Sequence, residues 1–367
     1  MFNLDAAKKI LEGAVERRDI PSTVAIVGTA TERHTVAVCG VRRYGGERVT
    51  LETCYDLASL SKVVSTLPCI LRLVSDGELS FDDTVGKFIS NAGCFQTPSL
   101  ADVTIRQLLT HTSGLPAWKT LFAQASTRQT AIANVLQTEL IHAKGTIVYS
   151  DLGFMLLGII LERVTKLSQD ECAKRYIFEP LDMNETSFGP LANAPVAATE
   201  DCGWRNQLLE GIVHDENAFV MDGVAGHAGL FGTANDVATY AQAWLRLDSR
   251  LGREEVLLEC IKEHVTDGKL RRGLGWLLKG ENSFAGKFAT AKGYGHTGFT
   301  GTSLWLEPEQ GWFTALLTNR VHPTRNHGEY IHEIRQAFHD ALFGAVNVDT
   351  KNIGTNQLEA SYIKKAK

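Results

Sequence analysis

The 367-residue chain has β-type segments at both ends and a long helical stretch between them. Two segments near the start, 23–30 and 34–39, are rich in β-branched and small apolar residues and are joined by a short polar hairpin loop. From about residue 60 to 264 the apolar spacing is mostly helical, and then the β pattern returns at 273–278, 302–306 and 312–317. This order predicts a mixed α+β fold, with an antiparallel sheet flanked by helices and a mostly helical lobe inserted between its two halves.

The same pattern predicts how the chain is divided. We expect a discontinuous sheet domain of residues 1–60 and 265–345, a mostly helical domain of residues 61–264, and a polar C-terminal tail at 346–367. An amphipathic first helix carrying Ile10, Leu11, Ala14 and Val15 and a final helix at about 326–343 should flank the sheet. The two lobes would enclose one cleft.

Composition excludes several classes of protein. Lys and Arg number 37 against 42 Asp and Glu, and a net charge of −5 argues against a nucleic-acid-binding protein. The longest apolar run, 154–161, is too short to span a bilayer, and the first residues lack a signal-like apolar core, so we expect a cytoplasmic protein without a membrane partner. Seven widely spaced cysteines, an odd number, indicate reduced thiols.

A Ser-x-x-Lys pair opens the helical stretch. Ser59 and Lys62 are three residues apart, so both lie on one face of the first helical turn. A serine hydroxyl needs a base to become a nucleophile, and a lysine among apolar neighbours has a lowered pKa and can be that base. The alternative is that Ser59 is only a helix cap. Pro68, further along the same helix, predicts a kink or a lost hydrogen bond.

Two later motifs can join this pair in a cleft. Tyr149 and Asp151 precede a helix, and a tyrosine oxygen beside a lysine can relay a proton. The segment His296-Thr297-Gly298 opens a strand, whose edge can hold a linear substrate and offer an N–H to an oxyanion. A tyrosine packed at a helix start and a plain turn into a strand are the alternatives.

Other patterns do not indicate a cofactor. The Gly-x-Gly-x-x-Gly match at 293–298 is followed by a strand rather than a helix, which excludes a dinucleotide site. His322, His327, His332 and His339 form a loose group without carboxylates at ligand spacing, so surface or capping roles are favoured over a metal site. We expect neither metal nor cofactor.

The three motifs, in this order and spacing, resemble those of the class C β-lactamase and penicillin-binding-protein-like serine hydrolases. The resemblance spans about residues 55–320 and implies a β-lactamase/transpeptidase-like fold. It implies that Ser59 is the acylated nucleophile, that Lys62 and Tyr149 share base and acid duties, and that the backbone N–H groups of Ser59 and Phe299 form the oxyanion hole. His111 and His227 match family stretches that we interpret as structural.

Two positions depart from the common family pattern. His296 stands where the family usually has lysine and carries less positive charge at neutral pH. Asp151 replaces the usual asparagine; its ionised carboxylate cannot donate a hydrogen bond and would favour a charged Lys62 if close. Both changes argue against efficient penicillin hydrolysis.

A finer resemblance, carried by residues 298–305 and 317–325, is to a branch that cleaves N-acetylmuramoyl–L-alanine amides during cell-wall recycling. Arg320 and Arg325 could bind a substrate carboxylate in place of the missing lysine, or could pair with Glu329 or cap the last helix. The expected activity is cleavage of an amide or ester in a muropeptide or related small peptide. A carboxylesterase, a D-amino-acid peptidase or weak β-lactamase, and a catalytically silent binding protein are the alternatives. The sequence leaves the oligomeric state open.

Overall fold

The computed structural model describes residues 2–89, 98–192, 194–326 and 330–344. Its helices are α1 (Leu4–Glu16), α2 (Leu67–Ser75), α3 (Val85–Phe88), α4 (Pro98–Ala101), α5 (Ile105–Leu109), α6 (Arg128–Leu136), α7 (Asp151–Thr165), α8 (Gln169–Ala173), α9 (Glu216–Val220), α10 (Ala234–Leu245), α11 (Glu254–Cys260) and α12 (Ile331–Phe343). π-Helical turns lie at Lys62–Thr66 and Lys174–Phe178, and a 3-10 turn at Leu121–Ala123.

The strands are β1 (Ser22–Thr29), β2 (Arg33–Gly40), β3 (Tyr55–Asp56), β4 (Ser187–Phe188), β5 (Asp201–Cys202), β6 (Gln207–Leu208), β7 (Leu230–Gly232), β8 (Val265–Thr266), β9 (Arg271–Arg272), β10 (Leu277–Leu278), β11 (Tyr294–Thr297), β12 (Ser303–Glu307) and β13 (Trp312–Thr318). Eight of them form the main sheet in the order β2-β1-β13-β12-β11-β10-β9-β8. Each pair of adjacent strands in this sheet is antiparallel.

The two ends of the chain meet in this sheet. Strand β1 pairs with β13 from Thr23 opposite Thr318 to Thr29 opposite Trp312. Helices α1 and α12 pack together against the sheet through a shared apolar cluster, and α10 packs against β1 and β13. Because helices lie against it, β1 is buried along nearly its whole length. The predicted antiparallel sheet flanked by helices is confirmed.

The first helix forms as its apolar spacing predicts. The Asn3 side chain accepts a hydrogen bond from the Ala6 N–H and caps α1, and Ala7, Ile10, Leu11 and Ala14 are buried. Val15 is only half-buried. The final helix α12 begins at Ile331, five residues later than expected, and the tail at 346–367 lies outside the described residues, as do Cys94, His327 and Glu329.

The helical lobe is organised around α7, whose residues from Leu152 to Leu161 are all buried. Ser150 accepts a hydrogen bond from the Gly153 N–H and caps this helix. Helices α3, α5, α6 and α8 pack against α7, and α11 packs against α2. They share one large apolar cluster that also includes residues of the main sheet. Within the described ranges no helix is both long and apolar enough to cross a membrane.

Two local details differ from the sequence prediction. The single strand expected at 273–278 is instead the pair β9 and β10, separated by a turn in which Gly275 has a φ of +76°. The helix after Ser59 starts as a π-helical turn, in which the Leu67 N–H donates to the Lys62 carbonyl oxygen. Pro68 has no N–H to continue an α-helical ladder back to Val64, which explains the change of hydrogen-bond pattern.

Candidate active site

Ser59 lies in a tight turn between β3 and the π-helical turn. Ala58, just before it, adopts a left-handed φ of +47°, which costs energy for a residue with a Cβ. Two contacts hold that conformation: the Ala58 N–H donates to Asp56 Oδ1 at 2.8 Å, and Ser61 Oγ donates to the Ala58 carbonyl oxygen at 2.6 Å. The turn therefore fixes where the Ser59 side chain points.

The Lys62 ammonium is fully buried beside Ser59. Its Nζ donates hydrogen bonds to Ser59 Oγ at 2.9 Å and to the His227 carbonyl oxygen at 3.1 Å, and forms an ion pair with Asp151 Oδ1 at 2.7 Å. The serine, the lysine and the acidic residue predicted from the sequence thus meet at one point.

The charge of Lys62 differs from the simple expectation. Burial works to lower the pKa of Lys62, but Asp151 and Tyr149 outweigh it and raise that pKa above its ordinary value. The sequence argument counted the apolar neighbours of Lys62 and predicted a lowered pKa, which is wrong because the Asp151 carboxylate lies against the ammonium. Lys62 is therefore a cation in the resting site.

Tyr149 is held by the segment around His111. The Val148 N–H donates to the His111 carbonyl oxygen at 2.9 Å, and the Ser150 N–H donates to His111 Nδ1 at 3.0 Å. The rings of His111 and Tyr149 pack at 4.6 Å between centroids, and Lys62 Nζ lies 5.0 Å from the Tyr149 ring centroid. Burial, together with nearby cations, holds the pKa of His111 well below its usual value. His111 is therefore a neutral support for the tyrosine.

The third motif lies on β11, close to Tyr149. The His296 ring is 5.9 Å from that of Tyr149, and its Nδ1 lies 2.9 Å from the Thr297 carbonyl oxygen. Burial first, and then the charges of Lys62 and Arg272, hold the pKa of His296 well below its usual value. The imidazole is thus neutral at pH 7, as the departure from lysine at this position suggested.

The strand of the third motif is tied to the serine turn. Thr300 Oγ1 donates to the Asp56 carbonyl oxygen at 2.6 Å, and Thr302 Oγ1 donates to the Leu57 carbonyl oxygen at 3.0 Å. A Cβ on Gly298 would come within 2.5 Å of the Leu57 oxygen and 2.1 Å of Thr302 Oγ1, so only glycine allows this approach. Thr297 and Gly298 therefore lie beside the Ser59 turn.

Phe299 lies next on this edge, and its side chain is 41% exposed. Its ring stacks on the His214 ring with 5.7 Å between centroids, and the Arg320 guanidinium also lies over the Phe299 ring, with Cζ 4.5 Å from the ring centroid. Arg320 Nε also donates to the Phe299 carbonyl oxygen at 2.8 Å, and burial lowers the pKa of Arg320 to about 10. Arg320 thus supports the predicted oxyanion residue.

Arg325 does not fit the expectation that it binds a substrate carboxylate. Its guanidinium pairs with Glu200 at 2.6 Å and with Glu216 at 2.5 Å, so two carboxylates of the protein already neutralise it. Glu200 also contacts His214 Nε2 at 3.1 Å. The alternative partner, Glu329, lies outside the described residues. Arg325 is a half-buried structural link between Glu200 and α9.

Of the C-terminal histidines that the structure describes, His322 and His339 are buried, so the expected surface role is wrong for these two. His322 is buried, with the Tyr44 N–H donating to its Nε2 at 3.0 Å, and His339 is buried, with Thr314 Oγ1 2.8 Å from its Nε2. The described ranges contain no group of three or more His, Cys, Asp and Glu side chains that could hold a metal ion. The six cysteines in these ranges are free thiols.

Sequence reasoning did not identify three residues that shape the site. Asp215 contacts His227 Nε2 at 2.8 Å and so fixes the loop whose carbonyl oxygen receives Lys62. Asp56 Oδ2 accepts from the His214 N–H at 2.7 Å and ties the serine turn to the same side of the cleft. Arg272 packs against Tyr149, with Cζ 5.4 Å from the ring centroid. None of the three stands in a local motif that would have marked it.

The comparisons agree on a family. The family model described as "Beta-lactamase" matches residues 7–338. A protein of Escherichia coli (strain K12) named "Putative D-alanyl-D-alanine carboxypeptidase" is 32% identical over 309 residues, which cover 75% of this chain and 71% of that protein. The chain belongs to the beta-lactamase family, and within it to the serine hydrolases related to penicillin-binding proteins.

Solved structures confirm the predicted β-lactamase/transpeptidase-like fold. A class C beta lactamase from Rhodobacter sphaeroides superposes with a TM-score of 0.72 at 18% identity, covering 92% of this chain and 98% of that one. EstCE1, a hydrolase with promiscuous acyltransferase activity, superposes with a TM-score of 0.76 at 19% identity, covering 93% and 99%. At these sequence identities the structural similarity shows a shared fold and nothing further.

Acid should destabilise the fold through Glu200. Burial would raise the pKa of Glu200, but hydrogen bonds from His214 and Arg325 outweigh burial and hold that pKa far below its usual range. A carboxyl whose pKa is depressed by folding stabilises the protein fully above about pH 5, where the unfolded side chain is also ionised, and loses this contribution as the pH falls. We expect Glu200→Gln to lower the free energy of unfolding at pH 7 by about 2 kcal/mol. Between pH 5 and pH 3 the free energy of unfolding of this variant should fall less than that of the native protein. Thermal unfolding across this range measures both.

The matched control is Glu255→Gln, because Glu255 pairs with Arg253 on the surface, where both side chains are mostly exposed. Its unfolding should follow the native protein at every pH. A Glu200→Gln profile parallel to the native one would show that this carboxyl is not a source of the acid sensitivity.

Proposed function

We propose that the protein is a hydrolase that forms an acyl-enzyme on Ser59 and cleaves an amide bond in a peptidoglycan-derived peptide. The observation that carries the proposal is the 2.9 Å hydrogen bond from the buried Lys62 ammonium to Ser59 Oγ. A serine hydroxyl with a cation at this distance can be stabilised as it loses its proton and attacks a carbonyl carbon.

The protonation state of Lys62 decides which group accepts the Ser59 proton. Since Asp151 holds Lys62 as a cation, the ammonium cannot take that proton and instead stabilises the charge on Ser59 Oγ. We assign the Tyr149 oxygen as the acceptor of that proton. When the C–N bond of the tetrahedral intermediate breaks, Tyr149 returns the proton to the leaving nitrogen, and water later repeats the sequence to release the acyl group.

The oxyanion requires two donors. Within the ranges the structure describes, the backbone N–H groups of Ser59 and Phe299 make no hydrogen bond to protein. The Gly298 approach to Leu57 brings their two segments together. Unpaired N–H groups on facing segments are the usual means of stabilising a tetrahedral intermediate, which supports assigning them this role.

The names of the relatives support a substrate class. Proteins 31–32% identical to this chain carry the name "Putative D-alanyl-D-alanine carboxypeptidase", which supports a peptide ending in D-alanine or a related muropeptide amide. An ester is the second candidate, because His296 is neutral and so offers no charge to a substrate carboxylate. We also propose a cytoplasmic location, which cell fractionation would test.

The test is a product assay on four substrates. These are an N-acylated peptide ending in D-Ala-D-Ala, an N-acetylmuramoyl–L-alanine amide, p-nitrophenyl butyrate and a chromogenic cephalosporin, each with the Ser59→Ala variant as the blank. We expect amine release from one of the two peptidoglycan-type amides, with the cephalosporin the poorest substrate. Turnover of the ester alone would select the esterase. Failure of all four would favour a silent binding protein.

A further inference from the structure

Arg335 is a buried arginine on the apolar face of α12. Its neighbours Ile334 and Phe338 are buried on that face as well, and Arg335 itself is only 6% exposed. A buried cation needs hydrogen-bond acceptors, because leaving its charge unsatisfied is costly. The acceptors lie in the turn between β11 and β12: Arg335 Nη2 donates to the Thr302 carbonyl oxygen at 2.7 Å and to the Gly298 carbonyl oxygen at 3.2 Å.

The charge of this guanidinium is not balanced by a carboxylate within the part of the chain that the structure describes. No acidic side chain there acts on it, and its Nε is buried without a hydrogen-bond partner. Burial, and then repulsion from Arg320, lower the pKa of Arg335 to about 9, so the group is still a cation at pH 7. The two carbonyl groups of the turn are therefore where this charge acts.

One of these carbonyls belongs to the same peptide unit as a predicted oxyanion donor. The Gly298 carbonyl and the Phe299 N–H are the two ends of one planar trans peptide, so they point in opposite directions. The Gly298 oxygen accepts from Arg335, and the Phe299 N–H makes no hydrogen bond to protein in the described ranges. A charged donor at the oxygen of a peptide polarises that peptide and makes its N–H a stronger donor.

The backbone of the turn is already satisfied without Arg335. The Gly301 N–H donates to the Gly298 oxygen at 3.1 Å, and the Gly298 N–H donates to the Thr302 oxygen at 2.7 Å. Each carbonyl that Arg335 contacts therefore keeps a backbone donor when the guanidinium is removed. Because the buried cation fills no vacant acceptor and carries a desolvation cost, the hydrogen bonding of the turn does not by itself account for it.

We propose that Arg335 is a positioning residue of the oxyanion hole, which orients and polarises the Gly298–Phe299 peptide so that its N–H binds the oxyanion more strongly. This proposal rests on the proposed function of Ser59. As the bond from Ser59 Oγ to the substrate carbonyl carbon forms, the π electron pair moves onto the carbonyl oxygen. The same pair restores the C=O bond when the bond to the leaving group breaks. Arg335 favours the intermediate, in which that oxygen is negative.

The experiment compares Arg335→Gln, Arg335→Met and Arg335→Lys with the native chain on p-nitrophenyl butyrate. Removing a whole oxyanion donor lowers kcat about 100- to 1000-fold. Here the donor remains and is only weakened, so we expect Arg335→Gln and Arg335→Met to lower kcat about 10-fold, with KM nearly unchanged. Arg335→Lys, which keeps a positive charge, should recover most of the rate.

A trifluoromethyl ketone separates an effect on the oxyanion from a general disturbance of the site. A ketone with a butyl chain forms an anionic tetrahedral adduct with a serine hydroxyl, so its inhibition constant reports how well the oxyanion is bound. In Arg335→Gln and Arg335→Met this constant should rise by the factor by which kcat falls. Arg335→Met should melt at or near the native temperature, because an unpaired buried charge is removed and both carbonyls keep a donor.

Arg246→Gln is the matched control. Arg246 follows α10, and its Nη1 donates to the Ala30 carbonyl oxygen at 2.7 Å in the loop between β1 and β2. It is thus an arginine that binds a backbone carbonyl outside the site. Its replacement should leave both kcat and the inhibition constant of the ketone unchanged.

Two results would overturn the proposal. One is native kcat and native ketone inhibition in Arg335→Gln and Arg335→Met. The other is a fall in kcat that Arg335→Lys does not recover while the ketone still binds as tightly as to the native chain, because the role would then be structural. If the native chain gives neither a Ser59 adduct with a fluorophosphonate nor inhibition by the ketone, the proposed function has failed; a native adduct together with unaltered Arg335 variants contradicts this inference alone.

Discussion

Replacing Ser59 with alanine is expected to lower kcat by about 10⁴-fold or more, because acyl transfer then loses its nucleophile while the donors around it remain. Lys62 Nζ, at 2.9 Å from Ser59 Oγ, would lose one of its hydrogen-bond acceptors but keep the Asp151 carboxylate and the His227 carbonyl oxygen. The fold should therefore survive. The measurements are kcat on the best substrate and the intact mass after exposure to a fluorophosphonate, which should add to the native chain and not to the variant.

Ser65→Ala is the matched control for this experiment. Ser65 lies on the π-helical turn that follows Ser59 and is fully buried, and its hydroxyl has no hydrogen-bond partner in the described part of the chain. Removing it should cost little stability and should leave labelling intact. Labelling of Ser59→Ala at the native rate would show that another residue is the nucleophile.

The features of the fold that rest on local pattern could be predicted from the sequence. The buried face of α1 follows from the spacing of Ile10, Leu11 and Ala14. The antiparallel sheet followed from β patterns at both chain ends. The point where the strand near 273–278 breaks into β9 and β10 could not be predicted, because its turn at Gly275 forms against Leu67 from a distant segment.

Charge in the site could be predicted only in part, since it depends on contacts between distant segments. The sequence showed Lys62 among apolar residues and named Asp151 as a residue that would keep it charged if close, but only the fold shows that Asp151, 89 positions later, lies 2.7 Å from it. Arg325 was a plausible anion-binding residue until Glu200 and Glu216 were found against it. Arg272 is the reverse case: it stands in no motif, yet it is the arginine that the fold places against Tyr149.

Replacing Lys62 with methionine should lower kcat by about 10³-fold, because the charge that stabilises Ser59 Oγ is lost. It should also destabilise the fold, since Asp151 is left as a mostly buried anion without its cation. Asp151 keeps some contact with solvent, so we expect a loss of about 2 kcal/mol in the free energy of unfolding rather than the full penalty of a buried charge. Thermal melting and steady-state kinetics measure the two effects.

The double variant Lys62→Met/Asp151→Asn separates those effects. Removing the unpaired carboxylate should restore most of the melting temperature, while kcat should stay as low as in the single variant, because only a cation at position 62 can support Ser59. Lys87→Met is the control: Lys87 contacts Asp83 at the same 2.7 Å but on the surface, where such a pair contributes about 1 kcal/mol or less. Recovery of kcat in the double variant would contradict this prediction, because it would mean that Lys62 acts only by neutralising Asp151. Proton transfer through Tyr149 would then not depend on the Lys62 charge.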